Sequence, residues 1–242
     1  MTSMQAVVFD CDGVLVDSER INNQVFAELA TRAGIPTTFQ DSVERYMGRS
    51  TTECVAELEH ALGEPIGFDF AAEYEQQVLH RQRDLAPVPG IQELLERLTA
   101  ADVPICVASS GTPSEIAFRL QTTGLDRYFG TRCYSATQVS RGKPAPDLFL
   151  LAAGRIGVDP AQCFLIEDSP YGVRGGRAAG MHVIGYAAMA SSDDLRAAGA
   201  THVITSMTEA PNCLGLKPSI LAASRGHEAT SLEASVRDCG RE

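Results

Sequence analysis

The sequence predicts an α/β protein: a parallel sheet with helices on both faces and a helical domain inserted after the first strand. The sheet is predicted because short apolar segments alternate with amphipathic stretches along most of the chain. The insertion is predicted because residues 16–84 contain helical stretches and no convincing strand. About 70 residues are too many for a simple crossover between two strands.

Five apolar segments are the predicted strands, and in chain order they are 6–9, 104–109, 163–167, 182–187 and 202–205. Helix starts are marked by a capping box with a proline at 112–115, by Ser169-Pro170, and by Pro89-Gly90. We therefore divide the chain into a core (1–15 and 85–215), a helical cap (16–84) and a polar C-terminal tail (216–242). The tail is expected to be frayed or loosely docked.

Composition excludes several classes of function. The formal charge is 20 − 31 = −11, which argues against nucleic acid or an anionic membrane as a partner. The N-terminus has no basic segment typical of a signal peptide, and no apolar run approaches the ~20 residues that cross a bilayer. The seven cysteines contain no C-x-x-C, so a disulfide framework or a zinc site is not expected. We expect a cytoplasmic protein.

Polar residues stand where the predicted strands end. They are Asp10 and Asp12 after the first strand, Ser109 and Ser110 at the end of the second, and Glu167 and Asp168 at the end of the strand 163–167; Lys143 follows the second group in the segment 140–147. Because functional groups in such a sheet gather at the carboxyl ends of the strands, we expect these side chains to lie together. Three acids with no His or Cys suit Mg²⁺. Two hydroxyls beside a helix start suit a phosphate, and the lysine balances the charge.

Four segments carry a resemblance to a known family: "FDCDGVLVDSE" (9–19), "VASSG" (107–111), "GKPAPDLF" (142–149) and "IEDSPYGVRGGRAAGM" (166–181). In order and spacing they resemble the motifs of the haloacid dehalogenase superfamily, over residues 6 to about 206. The position of the cap and the form "KPAPD" resemble its β-phosphoglucomutase-like branch. The resemblance implies a Rossmann-like catalytic core.

The resemblance also implies a role for each motif. Asp10 would be the nucleophile that forms an aspartyl-phosphate, and Asp12 the general acid and base. Ser109, with the amides of Ser110 and Gly111, would hold the phosphoryl oxygens, and Lys143 would neutralise charge on the nucleophile and the phosphoryl group. Mg²⁺ would be held by Asp10, the Asp12 carbonyl and Asp168, with Glu167 as a direct ligand or in the layer behind.

Each residue taken alone has a simpler explanation. Asp12 with Gly13 is typical of a turn, Ser109 of a helix cap, and Lys143 of a solvated surface. Glu167 and Asp168 could cap the helix after Ser169. Together, in the family's order, they favour an active site.

Four activities are alternatives for a site of this kind. A phosphatase lets water resolve the aspartyl-phosphate, whereas a sugar phosphomutase returns the phosphoryl group to a bound sugar. Mutases of the resembled branch carry a histidine ten residues after the general acid, and this chain has Asn22 there. A phospho-acceptor signalling module has a different chain order and no cap. Dehalogenation would give Asp12 no role as a general acid. Taken together, these comparisons predict a phosphatase, with the sugar phosphomutase as the alternative.

The cap is expected to choose the substrate, because in the resembled family it closes over the site. Glu19 and Asn22 lie in its first helix, and Arg49 lies in the turn 47–50 before a capping box that starts at Ser50. An arginine there would donate two hydrogen bonds to the substrate's far end, although a solvated arginine is an equal alternative. We expect a small phosphorylated sugar, polyol or sugar acid as substrate, and a monomer or weak homo-oligomer.

Overall fold

The structure is a computed structural model that describes residues 4–47, 49 and 51–216. Its sheet, within those residues, has six strands: β1 (Ala6–Phe9), β2 (Ile105–Ser109), β3 (Cys133–Ser135), β4 (Cys163–Glu167), β5 (His182–Tyr186) and β6 (His202–Ile204). Their order is β3-β2-β1-β4-β5-β6, and every neighbouring pair is parallel. The predicted fold class is therefore confirmed.

The five predicted strands are present, with ends that differ by at most one residue. The prediction missed β3, which is only three residues long and lies at the edge of the sheet. Three residues cannot display an alternating or continuous apolar pattern that stands out from a loop.

Apolar side chains cover both faces of the sheet, as expected for parallel strands between helices. Successive residues of β1 belong to different layers: Val7 and Phe9 pack in one apolar cluster, and Ala6 and Val8 in the other. The first cluster continues into the helices between β1 and β2, so the helical insertion shares a core with one face of the sheet.

The α-helices of the described residues are, in chain order, α1 (Ser18–Arg32), α2 (Phe39–Arg45), α3 (Thr51–Leu62), α4 (Phe70–Arg81), α5 (Ile91–Ala100), α6 (Pro113–Thr123), α7 (Asp126–Phe129), α8 (Asp147–Ile156), α9 (Pro170–Ala178), α10 (Ser192–Ala197) and α11 (Ala210–Cys213). Helices α1 to α4 form the cap, and α2 among them was not predicted. None of these helices combines the length and the apolar character needed to cross a membrane.

The predicted helix starts are confirmed. Thr112 caps α6 in a reciprocal capping box with Glu115, and Pro113 takes the first helical position. Ser169 caps α9 in front of Pro170, and Gly90 precedes α5 with a positive φ of 85°. The capping box predicted at Ser50 lies outside the described residues, as does the tail from residue 217 onward.

The cap is held together by an aromatic centre and by ion pairs between its long helices. The Phe26 ring of α1 lies 4.6 Å from the Tyr46 ring and 5.1 Å from the Phe70 ring, measured between centroids. Arg81 of α4 pairs with Glu28 of α1 at 2.5 Å. These contacts set the direction of α1, whose first turn faces the carboxyl ends of the sheet.

Candidate active site

The site lies where the order of the sheet reverses. Strands β1 and β4 are neighbours in the sheet, but the chain leaves them toward opposite edges. At such a point the loops that follow the two strands diverge and leave a crevice in front of the carboxyl ends. Asp10 directly follows β1 and Glu167 ends β4, so this topology places both carboxylates in one crevice.

A buried lysine joins these two carboxylates. The Lys143 Nζ lies 2.5 Å from Asp10 Oδ1 and 2.5 Å from Glu167 Oε1, and its side chain is 7% exposed. The other oxygen of Glu167 accepts hydrogen bonds from the Ser169 backbone N–H at 2.8 Å and the Ser169 hydroxyl at 3.0 Å. Both oxygens of Glu167 are therefore engaged within the protein, which fixes the lysine beside Asp10.

Burial sets the proton affinities of the site. Burial raises the pKa of Asp10 from its ordinary 3.8 to about 7, although the Lys143 ammonium acts in the opposite direction. Burial also raises the pKa of Asp168 well above its ordinary value, with the Glu167 and Asp10 carboxylates adding to the effect. For Lys143, burial disfavours the charge, but its two carboxylate partners outweigh burial and raise the pKa.

Three carboxylates of the site can share one cation. Oxygens of Asp10, Glu167 and Asp168 lie within 4.8 Å of one another. An all-oxygen cluster of this kind suits a hard divalent cation. The raised pKa values of Asp10 and Asp168 agree with this, because the single ammonium of Lys143 does not balance three crowded carboxylates.

Two glycines allow the carboxylates to come this close. Gly13 has a φ of 73°, and a Cβ there would lie 1.9 Å from Asp168 Oδ2. A Cβ at Gly172 would lie 1.7 Å from Glu167 Oε1. Any larger residue at either position would displace a carboxylate.

The loop after β2 offers donors for a phosphoryl group. The Ser109 side chain is buried and its Oγ accepts a hydrogen bond from the Gly111 backbone N–H at 3.1 Å, so the hydroxyl hydrogen stays available. The Ser135 hydroxyl of β3 donates to the Gly111 carbonyl at 2.6 Å and fixes the loop from behind. The amino terminus of α6 follows directly, and the positive end of its helix dipole attracts an anion.

Arg119 of α6, which was not predicted as a site residue, lies beside Asp12. Its Nε lies 3.2 Å from Asp12 Oδ1, and the arginine side chain is 14% exposed. The Asp12 carboxylate does not belong to the group of three that can share a cation. An amphipathic helix gives no indication in its sequence of which buried group an arginine reaches, so the structure was needed to find this pair.

A cavity of about 840 Å³ lies in front of these groups, between core and cap. The predicted residues along it are Asp10, Asp12, Glu19, Ser109, Ser110, Lys143, Glu167 and Asp168. Apolar residues that were not predicted complete its walls, with Phe39 and Met47 on the cap side and Tyr171 and Met189 on the core side.

The other predicted cap residues line a second cavity, of about 200 Å³. Asn22 and Arg49 lie along it, and Glu19 borders both cavities. The Arg49 Nη1 donates to Glu57 Oε2 at 2.7 Å and to the Arg45 carbonyl at 3.0 Å. In this conformation the guanidinium is thus engaged within the cap rather than with the Asp10 cluster.

A family model and several named proteins match most of this chain. A family model described as "Haloacid dehalogenase-like hydrolase" matches residues 7–186. A probable pseudouridine-5'-phosphatase of Drosophila melanogaster is 34% identical over 73% of this chain and 79% of the relative. A β-phosphoglucomutase of Bacillus subtilis is 32% identical over 75% of this chain and 83% of the relative.

Among solved structures, a haloacid dehalogenase family hydrolase from Deinococcus radiodurans, crystallised with bound phosphate and sodium, superposes with a TM-score of 0.83. It is 30% identical, and the match covers 90% of this chain and all of that one.

Proposed function

This chain belongs to the haloacid dehalogenase-like hydrolase family, in its phosphoglucomutase-like branch, and we propose that it is a Mg²⁺-dependent phosphatase of small phosphorylated metabolites. The observation that carries the proposal is the buried Lys143, held between Asp10 and Glu167 with Asp168 beside them. A carboxylate that is flanked by fixed positive charge and faces a cavity suits attack on a phosphate ester.

In the proposed reaction, Asp10 forms a bond to phosphorus while the bond from phosphorus to the leaving oxygen breaks. Asp12 gives its proton to that oxygen, and the leaving alcohol departs. Asp12, now ionised, takes a proton from a water molecule whose oxygen attacks the same phosphorus. The bond between phosphorus and Asp10 then breaks and releases inorganic phosphate, which restores both aspartates.

The remaining groups position and neutralise the phosphoryl group. Ser109 and the amide of Ser110 would donate hydrogen bonds to its oxygens, and the Gly111 amide, which donates to Ser109 Oγ in this structure, would join them after exchanging that bond. Lys143 would stabilise the charge that moves from Asp10 to those oxygens. Glu167 has both oxygens engaged with Lys143 and Ser169, so we assign it to orienting the lysine and to the layer behind the cation.

We propose that Asp10, Asp168 and the Asp12 carbonyl hold Mg²⁺. When bound, the cation supplies charge neutralisation for the phosphoryl oxygens and keeps the buried carboxylates ionised. Mg²⁺ is preferred over softer ions because the atoms that these side chains offer to a cation are carboxylate oxygens.

The substrate class follows from the cap and from the relatives. Glu19, Asn22 and Arg49 offer hydrogen-bonding groups that suit the hydroxyl groups of a sugar, polyol or sugar acid. We propose a monomer or weak homo-oligomer in the cytoplasm. The six cysteines within the described residues are free thiols, which a reducing compartment favours.

A phosphate-release assay across a panel of sugar, polyol and sugar-acid phosphates, with and without Mg²⁺, tests this function. We expect Mg²⁺-dependent release that Asp10→Asn removes, because an amide cannot attack phosphorus. The panel should include a hexose 1-phosphate, since a phosphomutase would convert it to the 6-phosphate with little free phosphate. That product would favour the mutase alternative and contradict the prediction based on Asn22.

A further inference from the structure

Arg119 approaches the Asp12 carboxylate from α6, and we propose that it is a positioning residue that keeps Asp12 directed at the leaving oxygen. The inference rests on the proposed function, because Asp12 needs a fixed direction only if it exchanges protons with a leaving group and a water molecule. Arg119 itself is not expected to touch the phosphoryl group.

The contact between the two side chains is close but not yet a hydrogen bond. Arg119 Nε lies 3.2 Å from Asp12 Oδ1, and neither Nε nor Nη1 has a hydrogen-bond partner among the described residues, although both atoms are buried. Buried donors without partners are costly. The Asp12 side chain is the more exposed of the pair, at 31%, so a small turn of its carboxylate can satisfy these donors.

The position of the guanidinium is set by the phosphate loop and by α6. The capping box of Thr112 and Glu115 fixes the start of α6, and Arg119 follows two turns later. A Cβ at Gly111 would stand 2.8 Å from Arg119 Nη1, so glycine at that position makes room for the arginine. Arg119 therefore ties the direction of Asp12 to the loop that is proposed to hold the phosphoryl oxygens.

Without this contact Asp12 has space to turn away. A further cavity of about 300 Å³ borders Asp12 on the side of the cap, and Ser18, Glu19, Asn22, Gln82 and Arg119 also line it. Glu19 contributes a second carboxylate there, which repels Asp12. Among the described residues, Arg119 is the one cation that lines this cavity, so its removal frees the Asp12 side chain and leaves two like charges facing each other.

Two substrates with different leaving groups show whether Arg119 positions Asp12 or binds the substrate. Phenyl phosphate needs a proton on its departing oxygen, whereas 2,4-dinitrophenyl phosphate does not. Because a misplacement of about 1 Å can cost ~10²-fold, Arg119→Met should lower kcat/KM on phenyl phosphate by ~10–100-fold. On 2,4-dinitrophenyl phosphate the same variant should change kcat/KM little. Arg119→Lys should recover part of the loss, since it keeps the charge.

Two further variants complete the experiment. Arg127→Met, the same substitution at an exposed arginine of α7 that pairs with Tyr128, should leave both substrates unaffected. In an Asp12→Asn background, Arg119→Met should cause almost no additional loss, because a residue that acts through Asp12 has nothing left to position.

Equal losses on both substrates, a full additional loss in the Asp12→Asn background, or no loss at all would overturn the assignment. If Arg119→Met does not fold, which its melting temperature will show, the contrast between substrates is measured on Arg119→Lys instead. Wild-type protein without phosphatase activity, or activity that survives Asp10→Asn, would refute the proposed function and the role of Arg119 with it.

Discussion

At the scale of single residues, Lys143 connects the chemistry of the site to its stability. Its ammonium is held by Asp10 and Glu167 at 2.5 Å each, with almost no exposure to water. Removal of the Glu167 carboxylate would leave the buried ammonium with one partner fewer, and such a change is strongly destabilising. The carboxylate of Glu167 therefore serves the active site even if it never contacts the cation.

The residue-scale prediction concerns two arginines of the cap that share one partner. Arg45 and Arg49 both pair with Glu57, at 3.1 and 2.7 Å, but Arg49 also lines the cavity that holds Asn22. If Arg49 turns to the substrate on closure, Arg49→Ala should lower kcat/KM on the best sugar phosphate by ~10–100-fold, since a charge-assisted hydrogen bond is worth ~1.5–3 kcal/mol.

Arg45→Ala is the matched control, because it removes the other arginine that pairs with Glu57. It should leave kcat/KM nearly unchanged. Steady-state kinetics on the sugar phosphate and on 2,4-dinitrophenyl phosphate make the comparison. If both variants lose activity equally, the Glu57 pairings support the cap and Arg49 does not recognise the substrate.

At the scale of elements, the strands and helices that could be predicted from the sequence are those with a clear hydrophobic pattern or a local capping motif. The buried strands β1, β2, β4 and β5 read as continuous apolar runs, and the starts of α6 and α9 carry capping residues whose contacts are local. The edge strand β3 and the short helix α2 were missed because three and seven residues are too few for a clear period.

Side-chain positions could likewise be predicted where the fold class determines them, and not where they depend on helix packing. Groups that lie at strand ends could be predicted to meet, because parallel strands bring their carboxyl ends to one edge. Arg119 lies two turns into α6, and its contact with Asp12 depends on how that helix packs against the loop after β1. No local pattern reports such packing, so tertiary structure was needed.

At the scale of the whole molecule, charge poses the main problem for a phosphatase. The chain has a formal charge of −11. The acidic residues along the large cavity are Asp10, Asp12, Asp17, Glu19, Glu167, Asp168 and Asp194, against Arg20 and Lys143 as its cations. Such a cavity would repel a phosphate anion, which supports the proposal that a divalent cation binds beside the buried carboxylates.

This charge balance predicts how stability depends on metal and pH. Because the folded-state pKa of Asp10 is raised from 3.8 to about 7, the metal-free protein binds protons on folding and loses stability as pH rises through that window. Mg²⁺ competes with those protons, so it should raise the melting temperature more at pH 8 than at pH 5.5. At ~100 times Kd the gain is ~2.7 kcal/mol, or about 5–10 °C.

Differential scanning fluorimetry with Mg²⁺ titrated at both pH values measures this shift. Asp168→Asn should reduce it strongly, whereas Asp193→Asn, at an exposed aspartate that pairs with Arg196, should not. An equal shift at both pH values would show that the cation does not bind at the buried carboxylates.

The proposed mechanism requires that Asp10 becomes covalently phosphorylated. Asp12→Asn should accumulate this intermediate from 2,4-dinitrophenyl phosphate and Mg²⁺, because the leaving group needs no proton while hydrolysis still needs a base. Borohydride reduces an acyl phosphate to an alcohol and so converts the modified aspartate to homoserine, which peptide mass spectrometry can locate. We predict homoserine at position 10, and none when Asp10→Asn is added. Release of phosphate without modification of position 10, or homoserine at another aspartate, would contradict the account.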